Sequence, residues 1–357
     1  MLALMVAAGC GRQPSSGVAQ GAGLDDAAPP VAPARDDGSP ASRAGPWRPR
    51  TPPWPRPAGL ARCVGRAFPS PAPTGFAHTS GAVAASLGDA RHRAQDVIAA
   101  PGAAAAISGW FAYGALQKDL EGATVAVFVD DCAGWRALGE VTTDDDGGAV
   151  ATLPTDLAIG SHEVRFVVRG DATTAVATAW ILPAGTHLVV TDLDGTLTTG
   201  DGELLDQILD HDHVPAAYPG AAALTRALVR RGHVVVYLTG RPAALLPATR
   251  AWLADGGFAA GPVHAADALR DVVPTDGGVG AYKRAWLAGL QAAGYVLDAA
   301  YGNAATDIHA YAAVGIAPAA TWIIGPHAGE GGTRAVDGTW QARADEVAAG
   351  PPVAQPF

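Results

Sequence analysis

Two rhythms of apolar residues divide the chain. From residue 106 to about 184 the apolar runs are short and alternate with polar positions: WFAYGAL, ATVAVFVDD, WRALGEV, GAVATL, HEVRFVVRG and AVATAWIL. A period of two puts every second side chain on one face of a strand, and it is clearest in TVAVFV and EVRFVV. The separators DDDGG, AIGS and RGDA carry turn-forming residues. Six such strands in about 78 residues predict a small antiparallel β-sandwich. Asp144 to Asp146 suggest either a hairpin turn or, less simply, a calcium loop.

From residue 185 to 345 the rhythm changes. The strand-like LVV (188–190), HVVVYLTGR (233–241), YVLDAAYG (295–302) and TWIIG (321–325) alternate with helical segments. These are PGAAALTRALVRRG (219–232), ATRAWLADGGF (248–258) and AYKRAWLAGLQAAG (281–294). Apolar strands separated by ten- to fifteen-residue helical patterns predict an α/β domain with a parallel sheet covered on both faces. In such sheets ligands collect beyond the carboxyl ends of the strands. The rest of the chain is less patterned. Residues 11–60 read as a Pro/Gly-rich linker, since GPWRPRTPPWPRP (45–57) can form neither helix nor central strand. Residues 61–105 read as an approach segment, with 87–102 either a short helix or extended, and 346–357 as a tail.

Composition narrows the function classes. The 357 residues suffice for about two domains. Against 34 Asp and Glu stand 24 Lys and Arg, a net charge of -10, with no basic stripe to neutralise a phosphate backbone; a nucleic-acid partner is not expected. An anionic small substrate needs local positive charge or a metal. The polar groups of the second half gather at the predicted strand ends: Asp192 and Asp194 after the first strand, Thr239, Gly240 and Arg241 at the end of the next, Asn303 and Asp307 after the strand that ends at YG, with Lys283 on a helix between. Each alone has an ordinary structural explanation as a cap, turn or solvated residue. The ordered set points to phosphate chemistry.

The run DLDGTLT (192–198), with Thr239, Lys283 and the acidic YGNAATDIHAY (301–311), resembles the haloacid dehalogenase-like phosphohydrolase superfamily. The resemblance implies a Rossmann-like catalytic domain acting by in-line phosphoryl transfer. Asp192 is then the nucleophile that forms an aspartyl phosphate, and Asp194 the acid and base for the leaving alcohol and the attacking water. Gly195 permits the sharp turn that brings both carboxylates to one site. Thr196 supports the loop, while Thr239 and the Gly240 N–H hold phosphoryl oxygens and Lys283 neutralises charge. Arg241 is a weaker substrate contact. An anionic nucleophile approaching a phosphate requires compensating cations. The implied cofactor is Mg²⁺, held by the Asp192 carboxylate, the Asp194 carbonyl, Asn303 and Asp307. Asn303 stands where aspartate is usual, which removes one ligand charge.

The GN-x-x-x-D-x-x-AY arrangement, an earlier YPG and the GP at 261–262 narrow the likeness to the lipin-type phosphatidate phosphatase branch. That domain is shared with membrane-associated phosphatidylinositol-transfer proteins, whose first aspartate is typically lost; the presence of both Asp192 and Asp194 favours the enzymatic branch. GWFAYGALQKDLEGATVAVFVDD (109–131) is similar to the region ahead of the catalytic domain in phosphatidate-phosphatase-like proteins, and an immunoglobulin-like sandwich there matches the lipin arrangement. Gaps of 46 residues between Asp192 and Thr239 and 43 between Thr239 and Lys283 leave no room for a large cap, though 202–220 has the length of a small flap. The expected activity is Mg²⁺-dependent hydrolysis of a phosphomonoester, phosphatidate at a membrane surface being the leading substrate. A different extracytoplasmic phosphomonoester, or a noncatalytic lipid-binding protein that kept the fold, are the alternatives.

Residues 1–10, MLALMVAAGC, are too short to span a bilayer and resemble the end of a bacterial lipoprotein signal, with Cys10 as the lipidated residue. A disordered apolar start is the alternative. The lipoprotein reading implies a bacterial cell envelope location, lipid-anchored or secreted, without excluding the cytoplasm. It leaves Cys63 and Cys132 as an even pair, equally compatible with a disulfide and with two free thiols.

Overall fold

The structure, a computed structural model, describes residues 55–200, 203, 214–266, 275 and 277–357. The signal-like residues 1–10 with Cys10, nearly all of the 11–60 linker, and most of the 202–220 flap segment lie outside the described residues. In chain order the first half contains β1 (Ala61–Cys63), α1 (Thr79–Ser86), β2 (Arg93–Ala94), β3 (Val97–Ala99), β4 (Ala106–Trp110), β5 (Ala112–Tyr113), β6 (Lys118–Asp119), β7 (Thr124–Asp130), β8 (Trp135–Thr142), β9 (Gly148–Thr152), β10 (Gly160–Val168) and β11 (Thr174–Ile181). One sheet runs β3-β11-β10-β7-β8, with β1 also on β10; facing it are the sheet β2-β4-β9 and the hairpin β5-β6. Alternation explains the layering. Val125, Val127 and Val129 of β7, with Val164, Phe166 and Val168 of β10, point into one core against Ile107, Phe111, Ala149 and Ala151.

Residues 61–105 are more than an approach. β1 and β3 extend the larger sheet in parallel pairings with β10 and β11, and β2 pairs with β4. Residues 87–102 are extended, and the helix of this region lies earlier, at α1. Their sequence hid this because two- and three-residue strands show too little alternation to be read. Asp144 closes a turn, its Oδ1 accepting from the N–H groups of Asp146 and Gly148. A disulfide joins Cys63, ending β1, to Cys132, beyond β7.

The second half continues with β12 (His187–Thr191), α2 (Ala221–Arg231), β13 (Val234–Pro242), α3 (Leu246–Asp255), β14 (Val263–Ala266), α4 (Val279–Ala292), β15 (Val296–Gly302), α5 (Ala305–Ala313), β16 (Thr321–Ile324), β17 (Arg334–Val336) and α6 (Gln341–Ala349). The sheet order is β14-β13-β12-β15-β16-β17, every pairing parallel. Val189 of β12 packs on one face with Leu224 and Leu228 of α2 and Val347 of α6; Leu188 and Val190 pack on the other with Leu287 and Leu290 of α4. Burial of both faces is why these strands read as unbroken apolar runs. The 346–357 segment begins inside α6 and packs back: Val353 N–H donates to the Arg231 carbonyl, and Gln355 bonds to the His187 backbone and the Gly232 carbonyl.

Side chains from the β-sandwich satisfy the edge of the parallel sheet. Gln95 donates to the Ala265 carbonyl of β14 and accepts from its N–H. Asp96 accepts from the N–H groups of Val263 and Thr178 and pairs with Arg250 of α3 at 2.7 Å. Asp96→Ala therefore strands a largely buried guanidinium and two backbone donors. We expect a loss of about 3–5 kcal/mol, the magnitude for breaking a buried ion pair, read as a lower urea midpoint with an unchanged denaturant slope. A change under about 1 kcal/mol would show that this contact does not couple the two halves.

Candidate functional site

The order β14-β13-β12-β15 places the chain reversal beside β12, and the polar residues cluster at the carboxyl ends of β12, β13 and β15. Asp192 follows β12, its N–H bonded to the Tyr301 carbonyl of β15. Gly195 turns the loop at φ +67°, and its N–H donates to Thr198 Oγ1. From the far side, the buried Trp340 indole donates to the Thr196 carbonyl at 2.7 Å. The loop is thus held by residues that sequence motifs did not single out; Thr198 lay within DLDGTLT, whereas nothing local marks Trp340.

Lys283, 3% exposed on α4, joins two strand ends. Its Nζ donates to Asp192 Oδ1 at 2.6 Å and to Asp307 Oδ1 at 2.7 Å. The other oxygen of Asp307, at the start of α5, accepts from the N–H groups of Asn303 and Ala304. Thr196 Oγ1 lies 3.1 Å from Asp192 Oδ2 and 3.2 Å from Asn303 Oδ1. A single hydroxyl hydrogen serves only one of these acceptors at a time. The structure therefore brings Asp192, Thr196, Lys283, Asn303 and Asp307 into one cluster.

Asp194 belongs to a second, adjoining group. Both its oxygens accept from Arg241 Nε at 3.0 Å, Nη2 adds a bond of 2.8 Å to Oδ1, and Thr239 Oγ1 donates to Oδ2 at 3.2 Å. Arg241 is buried and also donates to Thr249. It supports Asp194 from within rather than offering an open substrate contact. Thr239 Oγ1 also accepts from the Arg241 N–H. Gly240 packs closely, since a Cβ there would meet Val279 Cγ2 at 2.9 Å.

The donor set suits a hard cation: carboxylate oxygens of Asp192 and Asp307, the amide oxygen of Asn303 and a backbone carbonyl at Asp194 are all oxygen ligands. With the Asp194 carboxylate turned to Arg241, its main-chain carbonyl is the part left for such an ion. The second group of potential ligands is different. Cys63, Cys132 and His162 lie close together, but the sulfurs are joined and both His162 ring nitrogens face backbone carbonyls.

Burial raises the Asp192 carboxyl to about 7; Lys283 opposes the rise, and Asp307 and Asp194 add to it. Burial lowers the Lys283 ammonium, but the neighbouring Asp192 and Asp307 outweigh it and raise it overall.

Residues 189–325 match the family described as the LNS2 domain of PITM 1-3, and residues 90–181 its β-sandwich domain. Human membrane-associated phosphatidylinositol transfer protein 1 is 32% identical over 241 residues, covering 66% of this chain and 18% of the relative. Human membrane-associated phosphatidylinositol transfer protein 3 is 30% identical over 244 residues, covering 66% of this chain and 24% of the relative. The Drosophila melanogaster protein retinal degeneration B is 32% identical over 243 residues, with 66% and 18% covered. The chain thus spans about a quarter or less of these relatives. The matches support a haloacid dehalogenase-like LNS2 domain preceded by a β-sandwich domain. They also correct two expectations. The two human relatives are named as membrane-associated phosphatidylinositol transfer proteins, not lipin-type phosphatases, and all three relatives are human or fly proteins, which overturns the bacterial envelope and lipoprotein location. A signal-like AAGC is short enough to arise without that role. Among the described residues no helix is long and apolar enough to cross a membrane.

In the metal-free protein the raised Asp192 value sets a pH dependence. A carboxyl raised on folding contributes stability that is fully present below its unfolded value of about 4. That contribution is lost as pH rises through about 7. Thermal midpoints in a chelator should fall over this window, and Asp192→Asn should remove that part of the slope. Equal slopes in both proteins would refute the assignment.

Proposed function

We propose that the site receives the phosphate of a membrane phospholipid, bound through a divalent cation such as Mg²⁺. The observation that carries this is the buried Asp192–Lys283–Asp307 bridge at the strand ends. With Asp194 and Arg241 counted, three carboxylates oppose two cationic side chains, so with Asp192 ionised the bare site carries one surplus negative charge. A phosphate would be repelled from it. A divalent cation held by Asp192, Asn303, Asp307 and the Asp194 carbonyl reverses the sign and supplies the charge that attracts phosphate. The relatives' names favour a lipid ligand. Phosphatidate, whose headgroup is a phosphomonoester, is the simplest candidate.

Hydrolysis is the second reading, favoured by the retention of Asp192, Asp194, Thr239 and Lys283 together. In it Asp192 attacks phosphorus, the bond from phosphorus to the lipid oxygen breaks, and Asp194 passes a proton to the departing alcohol. A water, giving a proton to Asp194, then attacks the aspartyl phosphate, releasing inorganic phosphate and restoring the Asp192 carboxylate. Binding without turnover leads because both Asp194 oxygens are taken up as acceptors by Arg241 and Thr239.

Vesicles of phosphatidylcholine alone or with phosphatidate, with Mg²⁺ or with EDTA, separate these readings. Recruitment should require both phosphatidate and Mg²⁺, and Asp307→Asn should weaken it by about tenfold or more, that is about 1.4 kcal/mol. Recruitment indifferent to EDTA and to phosphatidate would overturn the proposal. Phosphate release from the same vesicles, abolished by Asp192→Asn, would establish the hydrolytic reading in place of simple binding.

Removing the bridge has a structural cost that can be measured separately. Lys283→Met leaves Asp192 and Asp307 facing each other unpaired, and we expect about 3–5 kcal/mol of destabilisation at neutral pH. Denaturant melts should show the penalty shrinking as pH falls and the carboxyls take up protons. A penalty that grows toward acid would contradict this account.

A further inference from the structure

Two stretches of the β-sandwich half, 79–88 and 109–117, contain no charged residue in a chain whose net charge is -10. They meet at a corner that carries large apolar side chains. Val83 of α1 is 55% exposed, and Leu87, four positions on and so on the same helix face, is 57% exposed. Leu116, between β5 and β6, is 96% exposed. The Gln117 N–H donates to the Gly114 carbonyl, so 114–117 is a tight turn with Leu116 at its outer corner. Gly114 lies directly on Leu87, since a Cβ there would stand 2.6 Å from the Leu87 carbonyl oxygen. A single exposed leucine is ordinary, but a cluster left in water marks a contact surface.

Hydrogen-bond register shows which way this corner points. Residues 89–95 and 108–114 form one antiparallel ribbon. The Gln95 N–H donates to the Ser108 carbonyl, Arg93 pairs with Trp110, Ala90 pairs with Tyr113, and the Gly114 N–H donates to the Asp89 carbonyl. In the other direction the chain leads to β3, which is tied to the amino side of the parallel sheet. There the Leu182 N–H donates to the Ala99 carbonyl, and the Leu182 carbonyl accepts from the Tyr295 hydroxyl just ahead of β15. Gln95 lies farther along, bonded to Ala265 near the end of β14, and β2 lies beside the helical turn Ala243–Leu245 that follows β13. The ribbon therefore passes the carboxyl edge of the sheet near Ala94. From there to Asp89 it extends about 17 Å further, at about 3.3 Å per residue. Val83, Leu87 and Leu116 stand at that end, on the side of the sheet where Asp192, Lys283 and Asp307 gather.

We propose that Val83, Leu87 and Leu116 form a tip that inserts into the headgroup and upper acyl region of a phospholipid bilayer, turning the carboxyl ends of the parallel sheet toward it. The choice of a bilayer as the occupant rests on the phospholipid reading of the Asp192 site. Shape and charge both suit that occupant. Leu116 projects from the corner of a turn, so it is accommodated by a yielding apolar phase. The stretches that bear the tip are uncharged, whereas the acidic chain as a whole is repelled by anionic lipid.

The test uses the full-length protein, Mg²⁺, and vesicles of phosphatidylcholine with phosphatidate. The Leu87→Ser and Leu116→Ser double variant should be recruited about tenfold or more weakly than the unaltered protein. Leu116→Phe should be recruited as well as the unaltered protein. Calorimetric binding of dihexanoyl phosphatidate, kept below its micelle concentration, should be the same in the double variant and the unaltered protein. Leu116→Trp should add fluorescence that phosphatidylcholine brominated on its acyl chains quenches, a gain that does not depend on a weakened variant. Equal recruitment of the double variant, no added quenching, or no recruitment of the unaltered protein overturns the tip. A matching loss of soluble phosphatidate binding also overturns it, because the substitutions would then act through the phosphate site. Recruitment that is indifferent to phosphatidate and Mg²⁺ but still falls in the double variant sinks the phosphate reading and leaves the tip standing.

Discussion

A buried ammonium between two carboxylates organises the α/β half of this chain. Lys283 reaches from α4 to the end of β12 and to the start of α5, so one side chain ties a helix, the central strand and a second helix at a single point. Its partners are almost fully buried, and the bridge is tolerable only because the remaining oxygens have donors of their own. Asp307 takes two backbone N–H groups, and Asp192 has Thr196 within reach. A bare buried charge would be far more expensive than this network. The polar site is therefore part of what fixes the sheet's upper edge, as well as a place for a ligand.

Much of this arrangement was legible in the sequence, for a physical reason. A parallel strand buried on both faces is a continuous apolar run, so the first polar residue after it marks where the chain leaves the sheet. Asp192 after HLVVT and Asn303 after YG stand at such points, and the helical period of 281–294 places Lys283 between them. The immediate neighbours were harder. Arg241 read as a residue facing substrate because LTGR ends a strand; only the fold shows that its side chain turns inward to Asp194 and Thr249. Trp340 lies 144 residues from the carbonyl it supports, a separation that no local pattern encodes.

The first half shows the same limit. Its long strands declare themselves by alternation, but β1, β2 and β3 are two or three residues each and gain their identity only from partners on β10, β4 and β11. Asp96 and Gln95 sit among these short strands and satisfy the open edge at β14. An edge strand presents unpaired backbone groups, and covering them blunts its tendency to pair elsewhere. The β-sandwich thus completes the parallel sheet, which gives a physical reason for the two modules to travel together in the relatives' β-sandwich and LNS2 pairing.

The two carboxylates of the first loop end with separate characters despite lying two residues apart. Asp192 points to Lys283 and the oxygen-rich side of the cluster, where burial favours the neutral form until a cation offsets it. Asp194 points the other way, into the planar fork of Arg241, whose geometry suits both carboxylate oxygens. Gly195, in the left-handed region, turns the loop just beyond both carboxylates without strain. Charge at the site is consequently adjustable on one side only. The Arg241 side is already neutralised, whereas on the other side two carboxylates share one lysine. Under the proposed function, a phosphate would enter a field set by a bound ion rather than by the protein's own acids.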